Sequence, residues 1–265
     1  MEQEGTDPNV PDTTYGQTPL LAAVMGENEG VVRLLLQRKD LNLNTPDTRY
    51  GRTPFWWAAG RGYDRIVRLL LEREDTNPNT PDTKYGRTPL LAAMIGRHGG
   101  AVRLLLKRKD LDPSTPDTRN GETPLWWASG CGYEGMVRLL LEREDVNPNT
   151  ADTNHYQTPL MQAITCGHEG IVKLLLERKD LNPKIPDLRG ETALELAMSG
   201  GHAGIVQLLS KPKPSFPIPI NTKPTKNTRQ KTLPQGTILN NSNNKRTIPP
   251  NDEGTLQKKP KASLT

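Results

Sequence analysis

The feature that most constrains this chain is a repeat with a period of about 35 residues. A Thr followed by Pro or Ala recurs at Thr18, Thr53, Thr88, Thr123, Thr158 and Thr192. The spacing is 35 residues four times and then 34. Self-similarity at a fixed period of a few tens of residues is the signature of stacked supersecondary units. The period therefore predicts a solenoid of six units rather than one globular core.

Each unit reads as helix, turn, helix. In the second unit Thr53 and Pro54 match a helix start, because a Thr side chain caps a helix and Pro suits the first helical position. Glycines break this helix about two turns later. The apolar residues of 66–71 then supply the stripe of a second helix. The units are therefore predicted to be all-α.

An extended finger rich in Pro, Asn and Asp joins one unit to the next, as in residues 75–87. Such a composition ends a helix and favours turns. A Gly two residues before the Thr suits a left-handed backbone and occurs in five units, as Gly16, Gly51, Gly86, Gly121 and Gly190. Tyr156 replaces it in unit five, so we expect strain and a displaced finger there.

Segments such as GRTPLLAAMIGRHGGAVRLLL (86–106) and GETPLWWASGCGYEGMVRLLL (121–141) resemble the ankyrin repeat. The resemblance covers roughly residues 6 to 210 and implies an ankyrin-repeat solenoid. Two departures stand out. The unit is about two residues longer than the usual ~33, and the His that normally follows Thr-Pro-Leu is replaced by Leu21, Trp56, Leu91, Trp126, Met161 and Glu195.

Units two and four resemble each other more than their neighbours, which indicates duplication of a double unit. Regular arrays with Trp in the first helix look like those of fungal proteins, where they often form the sensor end of larger nucleotide-binding signalling proteins. Residues 1–17 match only a partial finger, and 18–210 hold the six units. Because unit one shows no polar capping substitutions, we expect the chain to belong to a longer array.

The tail, residues 211–265, loses the period and becomes rich in Pro, Lys, Asn and Thr. This composition predicts disorder, because it cannot bury enough apolar area to offset the entropy of ordering. The tail has eleven basic residues against two acidic ones, so the first 210 residues carry a net charge of −4 in a chain of +5. The basic pI therefore describes the tail and not the folded surface.

Cys131 and Cys166 are the only two cysteines, too few for a disulfide framework. The N-terminus lacks the pattern of a secretory signal, and no apolar run is long enough to span a membrane. A cytoplasmic location is therefore expected. Lys258 to Lys261 includes three lysines and resembles a short basic import or nucleic-acid patch, which leaves nuclear entry open.

No catalytic constellation stands out, and the chain is predicted not to be an enzyme. Phosphate loops, nucleophile elbows and zinc-protease motifs are absent from the sequence. His98, His168 and His202 share one phase, which favours a structural column over a metal site, since a site would need matched ligands. No cofactor and no small-molecule substrate are expected.

The four tryptophans divide into two pairs. Trp57 and Trp127 hold the phase of an inward-packing Leu of the family and are expected in the core. Trp56 and Trp126 hold the phase of the missing His, where they could be partly exposed on the inner face. For these two, core filling and partner contact both stay open.

The family binds partners on its concave side, made of finger tips and first helices. Carried over by position in each unit, the resemblance implies a binding strip of Arg, Lys and Tyr across units two to four. Its chemistry is that of interface anchors, although solvated residues copied by duplication would give the same pattern. The candidate partner-binding residues are Tyr15, Met25, Arg49, Tyr50, Arg52, Trp56, Arg61, Lys84, Tyr85, Arg87, Ile95, Arg119 and Trp126.

The leading hypothesis is a non-catalytic protein-interaction module that holds an acidic or tyrosine-complementary protein segment. The alternative is charge-driven binding of nucleic acid or anionic membrane by the tail. Nucleic acid is considered only through the tail.

Overall fold

The computed structural model describes residues 7–211, and within that range every helix or strand assigned is an α-helix. These helices form six pairs, which confirms the predicted all-α solenoid of six helix-turn-helix units. The first helices of the pairs are α1 (Pro19–Met25), α3 (Pro54–Arg61), α5 (Pro89–Ile95), α7 (Pro124–Gly130), α9 (Pro159–Thr165) and α11 (Ala193–Ser199). The second helices are α2 (Glu29–Leu35), α4 (Asp64–Leu71), α6 (Gly99–Leu106), α8 (Glu134–Leu141), α10 (Glu169–Leu176) and α12 (Ala203–Ser210).

The first helices start where the Thr signal predicted. The Thr53 side chain accepts a hydrogen bond from the Trp56 backbone N–H at 3.1 Å, which satisfies an N–H that the helix leaves unpaired. Unit six caps its helix differently, because Glu195 also accepts a hydrogen bond from the Thr192 backbone N–H at 2.7 Å. This bond lowers the pKa of Glu195. The exposed Glu195 therefore closes a capping box.

Successive units stack so that first helices form one layer and second helices another. The residue two positions after the Thr is fully or almost fully buried in the first five units, as Leu20, Phe55, Leu90, Leu125 and Leu160. One hydrophobic core therefore runs along the stack, and each unit buries its apolar face against its neighbours.

Each finger is organised by an Asp that the sequence analysis did not single out, and this Asp is buried in units two to five, as Asp47, Asp82, Asp117 and Asp152. Asp82 is 2% exposed, and its Oδ1 accepts hydrogen bonds from the backbone N–H groups of Tyr85 at 2.8 Å and Arg87 at 3.3 Å. The Thr83 N–H donates to the Tyr50 carbonyl of the preceding finger at 2.8 Å. The fingers are thus fixed internally and tied to one another.

Two further rows of side chains join adjacent units. In the first, which we call the asparagine ladder, the Asn44 amide donates to the Asp75 carbonyl at 2.7 Å and accepts from the Asn77 N–H at 2.8 Å. Asn9 and Asn79 make the same pair of bonds. Ser114 holds this place in unit four, and its buried hydroxyl has no hydrogen-bond partner among the described residues.

In the second row, arginines at the ends of second helices reach back to the preceding unit. The Arg143 guanidinium donates to the carbonyls of Leu106, Arg108 and Leu111 at 2.8–3.1 Å, and it pairs with Asp145. Equivalent bonds are made by Arg73, Arg108 and Arg178. These arginines therefore link adjacent units by hydrogen bonds.

Tyr156 adopts a φ of 54°, which confirms the expected backbone strain in unit five. The displaced finger is wrong, because the Asp152 N–H still donates to the Gln157 carbonyl at 3.0 Å and the Leu188 N–H to the His155 carbonyl at 2.9 Å. A side chain fits here because Leu188 stands where preceding units have Thr, whose methyl would lie 2.3–2.6 Å from such a Cβ.

The basic tail lies outside the described residues, apart from Lys211. The predicted disorder and the basic cluster at its end therefore both fall outside the residues that the structure describes. Among residues 7–211, no helix has both the length and the apolarity needed to cross a membrane.

Candidate functional site

Cationic and tyrosine side chains alternate along the finger tips of units two to four. We call Arg49, Tyr50, Lys84, Tyr85 and Arg119 the finger strip. The Arg49 guanidinium lies 4.9 Å from the centre of the Tyr50 ring, and the Lys84 ammonium lies 5.8 Å from Tyr50 and 4.7 Å from Tyr85. Arg119 lies 5.8 Å from the Tyr85 ring. These are cation–π distances, so the structure brings the predicted residues of three fingers together.

The three cations of the finger strip are exposed and the two tyrosines are half-buried. The backbone N–H groups of Tyr50 and Tyr85 donate to buried Asp47 and Asp82, which fixes the backbone at each ring. The strip therefore offers positive charge to solvent above rings whose backbone is held in place.

Arg52 is one of the predicted partner-binding residues, but the structure buries it. It is 7% exposed, and its guanidinium lies 3.9 Å from the centre of Trp56 and 4.8 Å from that of Tyr50. Asp82 pairs with it at 3.5 Å. The neighbouring finger and the tryptophan together cover this arginine, because both lie within reach of its long side chain. Arg52 supports the strip from below.

Arg87 occupies the same phase one unit later and is half-buried, with its guanidinium 4.5 Å from the Tyr85 ring. Its carbonyl accepts the Trp56 indole N–H at 2.7 Å. Arg87 therefore lies beside the strip and also takes part in packing between units.

Trp56 and Trp126 are buried, at 2% and 6% exposed, so of the two alternatives left open by the sequence the structure favours core filling. Each indole N–H donates to a carbonyl of the next finger, at 2.7 Å for Trp56 and 2.9 Å for Trp126. Burying a large ring with its polar group satisfied is favourable. Of the two tryptophans expected in the core, Trp57 is 6% exposed, whereas Trp127 is half-buried.

The remaining predicted residues lie around the strip. In unit one Tyr15 is 48% exposed, whereas Met25 is half-buried. Ile95 ends α5 and is also half-buried. Arg61 ends α3, half-buried, with its guanidinium 5.0 Å from the Trp57 ring. None of these four contributes to the row of alternating rings and charges described above.

In unit four an acidic residue takes the place of an arginine beside the strip. Glu122 replaces Arg87 at the same phase and is buried, and it accepts a hydrogen bond from the Asn120 amide at 3.0 Å. Nearby, Arg97 is an exposed cation that sequence analysis missed, with its guanidinium 4.9 Å from the Tyr133 ring. The sequence signal that could have identified Arg97 is its position in the repeat, where the neighbouring units have Gly62 and Gly132. Arg97 adopts the same left-handed backbone as these glycines, with a φ of 61°.

The histidines pack between units as the sequence predicted. The His168 Nε2 lies 3.0 Å from the Gly130 carbonyl of the preceding unit, and the His98 ring lies beside Gly62. Within residues 7–211, no group of three or more His, Cys, Asp or Glu side chains is placed to hold a metal ion.

The two cysteines are free thiols. Burial raises the pKa of Cys131 to about 11 and also raises that of Cys166. A thiol with a raised pKa is a poor nucleophile at neutral pH.

Comparisons with known proteins agree with this architecture. A family model described as ankyrin repeats (3 copies) matches residues 1–82, 74–152 and 146–219. The ankyrin repeat domain of Bcl-3, described as a unique member of the IkappaB protein family, is 25% identical with a TM-score of 0.65, over 74% of this chain and 82% of that one. The ankyrin repeat protein EF0377 is 26% identical with a TM-score of 0.66, over 73% and 96%. No curated protein matches the chain.

Proposed function

Because the chain belongs to the ankyrin-repeat family, whose members are generally non-catalytic protein-interaction modules, we propose that it binds a protein partner through the finger strip and the adjoining first helices. The proposed ligand is an extended segment rich in Asp and Glu. The chain catalyses nothing and takes no cofactor in this proposal.

The observation that carries the proposal is the alternation of cations and rings in the finger strip. Arg49, Lys84 and Arg119 are exposed, whereas residues 7–210 as a whole carry a net charge of −2. A local positive row on an acidic body attracts an acidic segment and repels a basic one. The faces of Tyr50 and Tyr85 add apolar contact area of the kind enriched at interfaces.

The support beneath the strip favours binding over a merely solvated surface. Tyr50 is held between its backbone bond to Asp47 and the ring contact with Arg52, whose own charge is met by Asp82. A side chain ordered before binding loses less conformational entropy when the partner arrives. The buried arginine thus contributes by positioning the ring rather than by touching the partner.

A charge-reversal pair of variants tests the proposal. The strip variant is Arg49→Glu with Lys84→Glu and Arg119→Glu. The control is Arg68→Glu with Arg103→Glu and Arg138→Glu, which makes the same change of charge at exposed positions on second helices. The probe is a fluorescent 20-residue peptide of Gly and Ser with Glu at every third position, measured by anisotropy with the full chain.

We expect the strip variant to bind this peptide at least tenfold more weakly than the control variant. Equal weakening by both variants would show that the effect comes from net charge alone, and it would refute binding at the finger strip. Circular dichroism melts of both variants should match the parent, since all six positions are exposed.

The tail could bind nucleic acid or anionic membrane by charge, but no feature of the described residues favours that function and we do not propose it. For location we propose the cytoplasm, with nuclear entry open through the basic tail. The two free thiols support a reducing compartment.

A further inference from the structure

The row of finger turns changes at its C-terminal end in two positions at once. In units one to four a left-handed Gly faces a Thr of the next finger, and a Cβ on that Gly would meet the Thr methyl at 2.3–2.6 Å. In unit five Tyr156 replaces the Gly, and Leu188 replaces the facing Thr in unit six. Because Leu is not branched at Cβ, this exchange opens the space that the Tyr156 side chain needs.

The exchange leaves two large apolar side chains exposed on neighbouring finger turns. Tyr156 is 54% exposed and Leu188 is 64% exposed. The Leu188 N–H donates to the His155 carbonyl at 2.9 Å, the same link that joins the earlier fingers, so the two residues occupy the paired Gly and Thr places. Neither change improves the burial of the solenoid, since both side chains point largely into water.

Tyr156 also holds a backbone conformation that disfavours it. Its φ of 54° lies in the left-handed region, where Gly16, Gly51 and Gly86 stand in the equivalent turns. Strained residues persist where the surrounding structure imposes them, and they cluster at binding sites. A strained, exposed Tyr next to an exposed Leu is therefore suited to contact with another molecule.

We propose that Tyr156 and Leu188 form an apolar subsite that binds one apolar side chain of the same acidic segment that lies along the finger strip. This inference rests on the proposed function, because the strip supplies the charge complementarity that selects the occupant. The subsite continues the finger row, so one extended segment can reach both. The occupant is thus an acidic segment with a single apolar anchor.

The spacing of the anchor follows from the stack. Adjacent units lie about 10 Å apart, and an extended chain advances about 3.3 Å per residue. From Arg119 in unit four to the junction of units five and six is about one and a half units, or roughly 15 Å. The apolar residue should therefore lie about five residues from the nearest Glu that contacts the strip.

The test uses the 20-residue Glu peptide extended at one end by a Gly and Ser segment, with one Leu placed two, five or eight residues beyond the last Glu at that end. A matched peptide has Ser in place of Leu, and another has every Glu changed to Gln. The protein variant is Tyr156→Gly with Leu188→Thr, which rebuilds the Gly–Thr pair of Gly86 and Thr118 and should fold as those turns do. All measurements use the full chain.

We expect the peptide with Leu at a spacing of five to bind the parent chain about tenfold tighter than the Ser peptide. The rebuilt variant should lose that preference and bind the Ser peptide as the parent does. An equal preference for Leu in the parent and the rebuilt variant, or no preference in the parent, would overturn the subsite.

The two proposals fail differently. If the Ser peptide binds and is lost in the strip variant while Leu adds nothing, the strip stands and the subsite falls. If the Gln peptide with Leu binds as tightly as the Glu peptide, both the acidic occupant and the strip are refuted. If no Glu peptide binds in a strip-dependent way, both proposals are overturned.

Discussion

Replacing Ser114 with Asn should stabilise the solenoid by completing the asparagine ladder. In the neighbouring unit, Asn79 donates to the Asp110 carbonyl at 2.7 Å and accepts from the Asp112 N–H at 2.8 Å. The same two groups beside residue 114 belong to Asp145 and Asn147. The Ser114 hydroxyl is too short to make this bridge, and it is buried with no hydrogen-bond partner among the described residues.

The expected magnitude comes from those bonds. Two added hydrogen bonds contribute about 0.5–1.5 kcal/mol each, and ordering the Asn side chain costs up to about 1 kcal/mol. The Ser114→Asn variant should therefore gain about 1–2 kcal/mol in the free energy of unfolding. For a domain of this size that corresponds to a melting temperature higher by roughly 2–8 °C.

Urea unfolding followed by circular dichroism measures this directly, with the midpoint compared at constant slope. The matched control is Asn79→Ser, which should lose a similar amount because it removes the two bonds that Ser114→Asn adds. A Ser114→Asn midpoint equal to or below that of the parent would show that the ladder bonds do not contribute to stability.

Three further predictions follow from other contacts. Tyr156→Gly should raise the free energy of unfolding by about 1 kcal/mol by relieving the left-handed strain, and a lower melting temperature would contradict this. Arg143→Gln should lower the free energy of unfolding by about 2 kcal/mol at pH 7. The control is Arg38→Gln, which removes only the pair between Arg38 and Asp40 and should lower the free energy of unfolding far less. The hydrogen bond from Arg143 also lowers the pKa of Asp145. Stability from this pair is therefore present above pH about 4 and lost as the pH falls. The urea midpoint of Arg143→Gln should accordingly fall less steeply than that of the parent as the pH is lowered below about 4. In a Cys166→Ser background, Cys131 should react slowly with a thiol reagent at pH 8 and faster up to about pH 11, whereas a plateau near pH 8.5 would refute the burial effect.

The repeat architecture could be predicted because its signals are local. Thr53 and Pro54 mark a helix start whatever surrounds them, and the fixed period places each copy in the same environment. The family model and the structure neighbours then agree with that interpretation. The capping box of Thr192 and Glu195 is equally local, because it needs only a Thr and a Glu three residues apart at a helix start.

Contacts between units could not be predicted in the same way. Arg49 and Arg52 are three residues apart in one finger, yet one is exposed and the other is buried against Trp56 and Asp82 of its own and the next unit. Which arginine turns inward depends on the neighbouring unit. The burial of Trp126 likewise depends on a carbonyl of the next finger.

The most direct test of the central claim is site-specific photo-crosslinking of the full chain to the Glu peptide. A photo-reactive amino acid placed at Tyr50 or Tyr85 lies in the finger strip, whereas the same group at Arg68 or Arg103 lies on second helices. The account predicts crosslinks from the two strip positions that excess unlabelled peptide and high salt both suppress. Crosslinks of equal yield from the second-helix positions, or none from the strip, would contradict it.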